Sequence, residues 1–377
     1  MTKILIGPAY PLRGGIADFN QALANSYLQA NSQVKIYTFS LQYPGFLFPG
    51  NTQFAEGDKP ENLNINVSIN SINPINWIRT GNKIAKENPA YVIIHYWMPF
   101  MAPCLGTIAK QIRKKSKAKI FAIMHNVIPH EKFPLKNQLT RYFVKQCDGF
   151  ITMSKSVLND LNLFTENQNK IFAPHPIYNT FGEKISKSDA LKKLGLSPEY
   201  KYLLFFGIIR KYKGLDILIK ALANEKLSKF PIKLIVAGEF YEDRKVYDNL
   251  IETHEMKDKI VFTNGFVQSD MVKYYFCASD IVVQTYKSAT QSGVTQIAYH
   301  FERPMLVTDV GGLAEIVPHQ KVGYVTEINP TAVADALIDF FTNAREEEFS
   351  KNTAIEKKKF DWGRFIERIE ELKKPLF

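Results

Sequence analysis

Tyr202-Leu-Leu-Phe-Phe-Gly-Ile-Ile-Arg-Lys-Tyr-Lys-Gly-Leu215 decides the fold. Five apolar residues running into Gly207 read as a short strand buried on both faces, the kind found in parallel sheets covered by helices. A basic loop follows, and a helical pattern begins at Gly214. Apolar runs at 232–237, 260–262, 280–283 and 305–308 repeat the strand, and helical patterns around 242–254, 268–277 and 292–301 fill the gaps. The same alternation occupies the first half, with runs at 4–6, 34–39, 91–94, 119–124 and 149–152 and a closing strand at 170–173. Strand-helix alternation of this kind predicts parallel sheets. The pattern restarts after Pro174-His-Pro-Ile-Tyr178 and a polar stretch ending near Tyr200. The expected domains are therefore 1–180 and 181–355. A charged helical tail, 356–377, contains Asp361-Trp-Gly-Arg364 and is expected to pack back across the interface. Two α/β units imply a cleft, and ligands of such sheets bind beyond the carboxyl ends of the strands.

The 377 residues suffice for two or three domains, and 23% charged residues with 20 Gly and 19 Pro exclude a disordered or fibrous chain. Cys104, Cys147 and Cys277 have no metal-ligand spacing and cannot all pair, which points to a reducing compartment. The start, MTKILIGPAYP, lacks the features of a secretory leader. Residues 90–109 carry no Asp, Glu, Lys or Arg and are long enough to span a bilayer. Yet His95, Pro99, Pro103 and Gly106, together with the β-rich Tyr91-Val-Ile-Ile-His95, better suit a buried strand, a loop and a helix. A cytoplasmic protein is the expectation. Lys and Arg total 48 against 37 Asp and Glu, and the first 180 residues hold 19 basic and 9 acidic residues, nearly all of the excess. Six basic residues lie between Lys110 and Lys119. Such a face attracts anionic lipid or nucleic acid, and a solvated helix face explains it equally well. No zinc-finger spacing or single-strand recognition motif supports nucleic acid.

Several loops can carry chemistry. Gly14-Gly15 follows the first strand and precedes a helix, where two glycines allow close backbone approach and the helix end favours an anion. An ordinary turn gives the same pair. The loop has neither GxGxxG nor GxxxxGK[ST] spacing, so hydride transfer and nucleoside triphosphate hydrolysis lose support. Arg210 and Lys213, just beyond the strand 202–206, suit a diphosphate whose charge grows as its bond to a sugar breaks. Solvated surface basics are the alternative. Thr308-Asp-Val-Gly-Gly-Leu-Ala-Glu315 again places two glycines, Gly311 and Gly312, before a helix, and Glu315 can be a ligand contact or a first-turn acid. His125 ends the strand 119–124 and can bond a sugar hydroxyl, or be a satisfied structural histidine. His95 occupies a similar strand end beside Tyr96 and Trp97. Asp18 fits a helix first turn and is not assigned to catalysis. The seven histidines show no HExxH or other compact metal arrangement.

The assembled pattern resembles the retaining glycosyltransferases of family 4 (glycosyl transferases group 1), over essentially the whole chain. Its markers are Gly14-Gly15, His125-Asn126, Pro174-His-Pro-Ile177, Gly207 through Lys213-Gly214, Glu302-Arg-Pro-Met305 and Asp309-Val-Gly-Gly-Leu-Ala-Glu315. The resemblance implies an α/β GT-B fold, two Rossmann-like domains facing a central cleft, with the acceptor on the first and the nucleotide-sugar donor on the second. It implies transfer of a hexose-like sugar, with retention, from a nucleoside diphosphate sugar to a glycan or lipid-linked glycan. The resemblance further implies that no metal or other cofactor is required. Surface polysaccharide or lipopolysaccharide synthesis, and peripheral attachment to the inner membrane face, are family-level expectations. By the same resemblance Gly14 and Gly15 back the diphosphate, His125 lies by the transferred sugar, and Gly207 and Lys213 belong to the diphosphate site. The customary arginine directly follows the glycine, where this chain has Ile208, so Arg210 is a substitute two places on. Glutamates common in the family are replaced by Ala289 and Ile297. Gln291, Ser292 and Gln296 are left to supply hydrogen bonds, and Gly293 and Val294 backbone donors, alongside Gly311, Gly312 and Glu315. The missing glutamates motivate a second reading, a catalytically inactive sugar or lipid-carrier binding protein.

Overall fold

Runs rich in Ile, Val, Phe and Tyr, too short for helices and bounded by polar or glycine-containing turns, form the strands. The computed structural model describes residues 2–45, 52–55, 57–128, 135–177, 181–263, 265–289 and 292–373. It divides into one unit of Met1–His175 with Trp362–Phe377, and a second of Pro176–Asp361. In the first unit the strands are β1 (Lys3–Ile6), β2 (Val34–Leu41), β3 (Ile65–Asn70), β4 (Tyr91–Tyr96), β5 (Lys119–Met124), β6 (Gly149–Thr152) and β7 (Lys170–Phe172). They lie in the order β3-β2-β1-β4-β5-β6-β7, every pair parallel. All six residues of β4 are buried, as a strand covered on both faces requires. The uncharged stretch 90–109 is thus β4, a short 3-10 turn and the start of the helix Ala102–Lys115. Among the described residues no helix is long and apolar enough to cross a membrane.

The second unit repeats the design with β8 (Lys201–Phe206), β9 (Ile232–Ala237), β10 (Ile260–Phe262), β11 (Ile281–Gln284), β12 (Met305–Thr308) and β13 (Gly323–Thr326). Their order is β10-β9-β8-β11-β12-β13, again parallel. In each sheet the strand order reverses beside its first strand, opening a crevice at the carboxyl ends of β1 and β4 in one unit and of β8 and β11 in the other.

The division falls after His175, and the chain rejoins the first unit at Trp362, six residues later than the tail expected from 356. Phe360 packs on Tyr299 of the second unit at 4.7 Å. Trp362 and Phe365 instead place their rings 5.1 and 5.6 Å from Phe19, and Glu370 accepts a 2.6 Å hydrogen bond from the Tyr91 hydroxyl. The last helix, Trp362–Glu371, therefore completes the core of the first unit. Within the polar stretch before Tyr200 lies another helix, Lys187–Leu194. Ser186 caps it and Gly195 ends it, and Lys187 pairs with the buried Asp280 at 2.6 Å.

Candidate functional site

In the second unit the loop after β8 converges on Lys213. Gly207 has φ +91°, and a side chain there would put its Cβ 3.2 Å from Lys213 Nζ and 3.7 Å from Val294 Cγ2. Its bare Cα therefore makes room for the ammonium beside the start of the helix Gly293–His300. Lys213 is buried, and its Nζ lies 5.5 Å from the centre of the Tyr286 ring. Burial, reinforced by the Arg210 charge, pulls its pKa down to about 7. Arg210 is half-buried, with its guanidinium 5.2 Å from the Tyr241 ring. The loop is laced to the segment after β11: Thr285 Oγ1 donates to Gly214 O at 2.8 Å, and the Lys287 amide donates to Tyr212 O at 2.6 Å.

The helix Gly293–His300 begins at the same place. Buried Ser292 caps it by accepting the Val294 amide at 3.3 Å, and Ser292 Oγ lies 3.4 Å from the Tyr286 hydroxyl. The Thr308 hydroxyl at the end of β12 donates to Tyr286 O at 2.5 Å, joining the strand ends. Gly207, Arg210, Lys213, Ser292, Gly293 and Val294 therefore share one corner of the sheet, with the helix's positive end turned to the lysine. Gly311 and Gly312 form the turn after β12, and Glu315 is exposed on the short helix Leu313–Ile316. Gln291 lies outside the described residues. Gln296 is fully buried, and neither its Oε1 nor its Nε2 has a hydrogen-bond partner among the described residues. Tyr286 is the hub that sequence reasoning passes over; an aromatic two residues beyond a strand's carboxyl end was the available signal.

In the first unit Gly14 precedes the helix Gly15–Gln29 at the carboxyl end of β1, and a Cβ on it would meet nothing within 4 Å among the described residues. Burial pushes the Asp18 carboxyl in the first helical turn up to about 6. His125 continues β5, its amide donating to Tyr96 O at 2.8 Å. Its ring turns inward: Nε2 lies 2.8 Å from His95 Nδ1 and the rings stack at 5.1 Å. Phe19 presents its ring to His95, His125 and His175 at 5.7, 5.4 and 4.9 Å. Burial drives His95 down to about 3, and burial with the neighbouring His95 and His175 holds His125 well below the usual range. Both rings are neutral at working pH, so one nitrogen of the pair donates and the other accepts. His95 Nε2 is buried and has no hydrogen-bond partner among the described residues. Replacing His95 by Phe keeps the ring and removes the shared hydrogen bond. It is expected to cost ~1–3 kcal/mol in urea unfolding, and an unchanged midpoint would show that the pair contributes nothing. Among the described residues no group of three His, Cys, Asp or Glu side chains is placed to hold a metal ion. Cys104, Cys147 and Cys277 are buried free thiols.

Paired Rossmann-like units are also the architecture of Anabaena HepE in complex with UDP. It matches with a TM-score of 0.76 at 16% identity, over 98% of this chain and 99% of that one. The fold is GT-B. Residues 186–359 match the family model described as Glycosyl transferases group 1. The chain is 24% identical over 274 residues to N-acetyl-alpha-D-glucosaminyl L-malate synthase of Bacillus anthracis, covering 71% of this chain and 68% of that one. It is 22% identical over 312 residues to lipopolysaccharide 1,2-N-acetylglucosaminetransferase of Salmonella typhimurium, covering 78% and 75%. The protein is a glycosyltransferase, and its second unit carries the group 1 domain.

Proposed function

We propose that the protein transfers a hexose-like sugar, with retention of anomeric configuration, from a nucleoside diphosphate sugar to a glycan or lipid-linked glycan. The observation that carries this reading is the buried Lys213 ammonium set against Gly207 at the start of the helix Gly293–His300. As the sugar bond ionises, charge gathers on the departing diphosphate. Lys213, Arg210 and the helix amides then stabilise it in a place shielded from water, which is where such charges act most strongly. The leaving phosphate takes the acceptor proton on this reading, so no carboxylate base and no metal ion is needed. The second unit binds the donor and the first supplies the acceptor contacts. The UDP complex of HepE makes uridine donors the first to try, and the Salmonella relative's name supports a lipid-linked glycan as acceptor. Buried thiols fit a cytoplasmic setting.

The deciding experiment incubates a panel of nucleotide sugars with glycan and lipid-linked acceptors, then detects free nucleoside diphosphate and the anomeric configuration of the product by NMR. Donor binding without turnover on any acceptor, or inversion, would defeat the reading. A pH dependence follows from the lysine. In the free protein Lys213 loses its proton above about 7, and a diphosphate binds the protonated form. kcat/KM for the donor should therefore fall as pH rises through about 7, and Lys213→Arg, charged throughout, should flatten that limb. A profile unchanged by the substitution would assign the limb to another group.

A further inference from the structure

His95, the fifth residue of β4, is completely buried, and three neighbours fix its ring. Phe19 of the helix Gly15–Gln29 meets it edge-on at 75°, and the His125 ring stacks on it at 23°. Gly7, at the carboxyl end of β1, leaves it room: a Cβ there would lie 3.0 Å from both Cβ and Cδ2 of His95. An apolar side chain would fill the same space without burying a polar ring, so a histidine here calls for a chemical reason.

The protons on the pair follow from what each nitrogen faces. Burial holds both imidazoles neutral, and each then has one N–H donor and one bare acceptor nitrogen. His95 Nδ1 and His125 Nε2 share one hydrogen bond at 2.8 Å, so only one of these two nitrogens carries a proton. If His125 donated, His95 would hold its proton on Nε2, which has no hydrogen-bond partner among the described residues. Orphaned buried donors are rarer in folded proteins than under-used acceptors. The favoured arrangement puts the His95 proton on Nδ1, donating to His125 Nε2, and the His125 proton on Nδ1.

We propose that His95 is a positioning residue: its Nδ1–H holds the His125 ring at the carboxyl end of β5 and makes His125 Nδ1 the donor that meets a hydroxyl of the transferred sugar. The proposal rests on the reading that places His125 beside that sugar. It adds the tautomer and the residue that sets it. A neutral N–H suits an uncharged hydroxyl oxygen. A ring that cannot turn offers its donor without the entropy cost of ordering a free side chain. His95 itself touches no substrate and acts only through its neighbour.

Nitrogen-15 NMR of the full chain labelled at histidine reads the tautomers directly, the signals being assigned through the contacts of both rings with Phe19. A protonated Nδ1 and a bare Nε2 are expected on both rings, and a proton on Nε2 of either ring overturns the proposal. This spectrum decides even where a variant fails to fold. Turnover per mole of folded protein is the second readout, on a nucleotide sugar and acceptor drawn from the panel above. His95→Phe should lower kcat about tenfold and leave the donor KM within about twofold, because the diphosphate holds the donor. His95→Asn, whose Nδ2 takes the place of Nδ1 and donates to the same nitrogen, should recover most of the loss. Full kcat in the Phe variant, or an Asn variant no better than it, overturns the positioning role whatever their stability. His125→Ala tells that failure from a failure of the underlying reading. Unaltered turnover in His125→Ala withdraws the sugar contact itself, whereas a slow His125→Ala beside a fully active His95→Phe removes His95 alone.

Discussion

Lys213→Ala is expected to lower kcat/KM for the donor by about two to three orders of magnitude, the loss seen when one preorganised charge contact to a developing anion is removed. The expectation is large because the ammonium sits buried, with the Gly207 backbone on one side and the Tyr286 ring on another. Folding should not suffer. A lysine whose folded pKa is lowered from 10.5 to about 7 binds fewer protons folded than unfolded between those values. The native state is thus held back by this group below pH 7 and gains stability as pH rises from about 7 to 10.5. Lys213→Met, which fills the same space without charge, should raise the melting temperature at neutral pH while giving the same loss of turnover. A variant that keeps near-wild-type kcat and donor KM would remove Lys213 from the diphosphate. Arg210→Ala, at a half-exposed position, should cost about tenfold in kcat/KM. No change would show that the displaced arginine does not stand in for the family's usual one.

Gly214→Ala should destabilise the protein by about 3 kcal/mol or more in urea unfolding, and Gly195→Ala by only about 1 kcal/mol. The two glycines have nearly the same backbone, φ 69° and ψ 31° against φ 65° and ψ 30°, so the left-handed penalty is shared. Their surroundings differ. Among the described residues a Cβ on Gly195 meets nothing within 4 Å, and one on Gly214 would lie 1.9 Å from Thr285 O. Relief requires the loop after β8 to part from the segment after β11, breaking the Thr285 hydrogen bond and moving Lys213. Similar losses at both positions would mean that the loop yields without cost.

Much of this was legible in the sequence because the buried strands are nearly pure apolar runs. Runs such as Leu203-Leu-Phe-Phe206 and Val92-Ile-Ile94 announce themselves. The edge strands do not: β3, Ile65-Asn-Val-Ser-Ile-Asn70, alternates with polar residues, and β13 is only Gly323-Tyr-Val-Thr326. Lys187–Leu194 is a helix whose surface is mostly solvated, so its lysines concealed it among loop residues. At the candidate site, Gly207 and Lys213 could be found because strand, glycine and lysine are neighbours in sequence. The pairing of His95 with His125 spans 30 positions and depends on the parallel register of β4 and β5, which brings His95 opposite Ile123. Gln296, by its place in the sequence, is expected to supply hydrogen bonds. Its spacing cannot reveal that both amide atoms end up buried with no partner among the described residues.

The return of the chain to the first unit at Trp362 imposes an order of events during synthesis. The ribosome makes Phe19 early, but the indole and phenyl rings that cover it are translated only after every residue of the second unit. Until then the nascent amino-terminal half carries an uncapped aromatic surface, open to chaperones and to misassociation with its siblings.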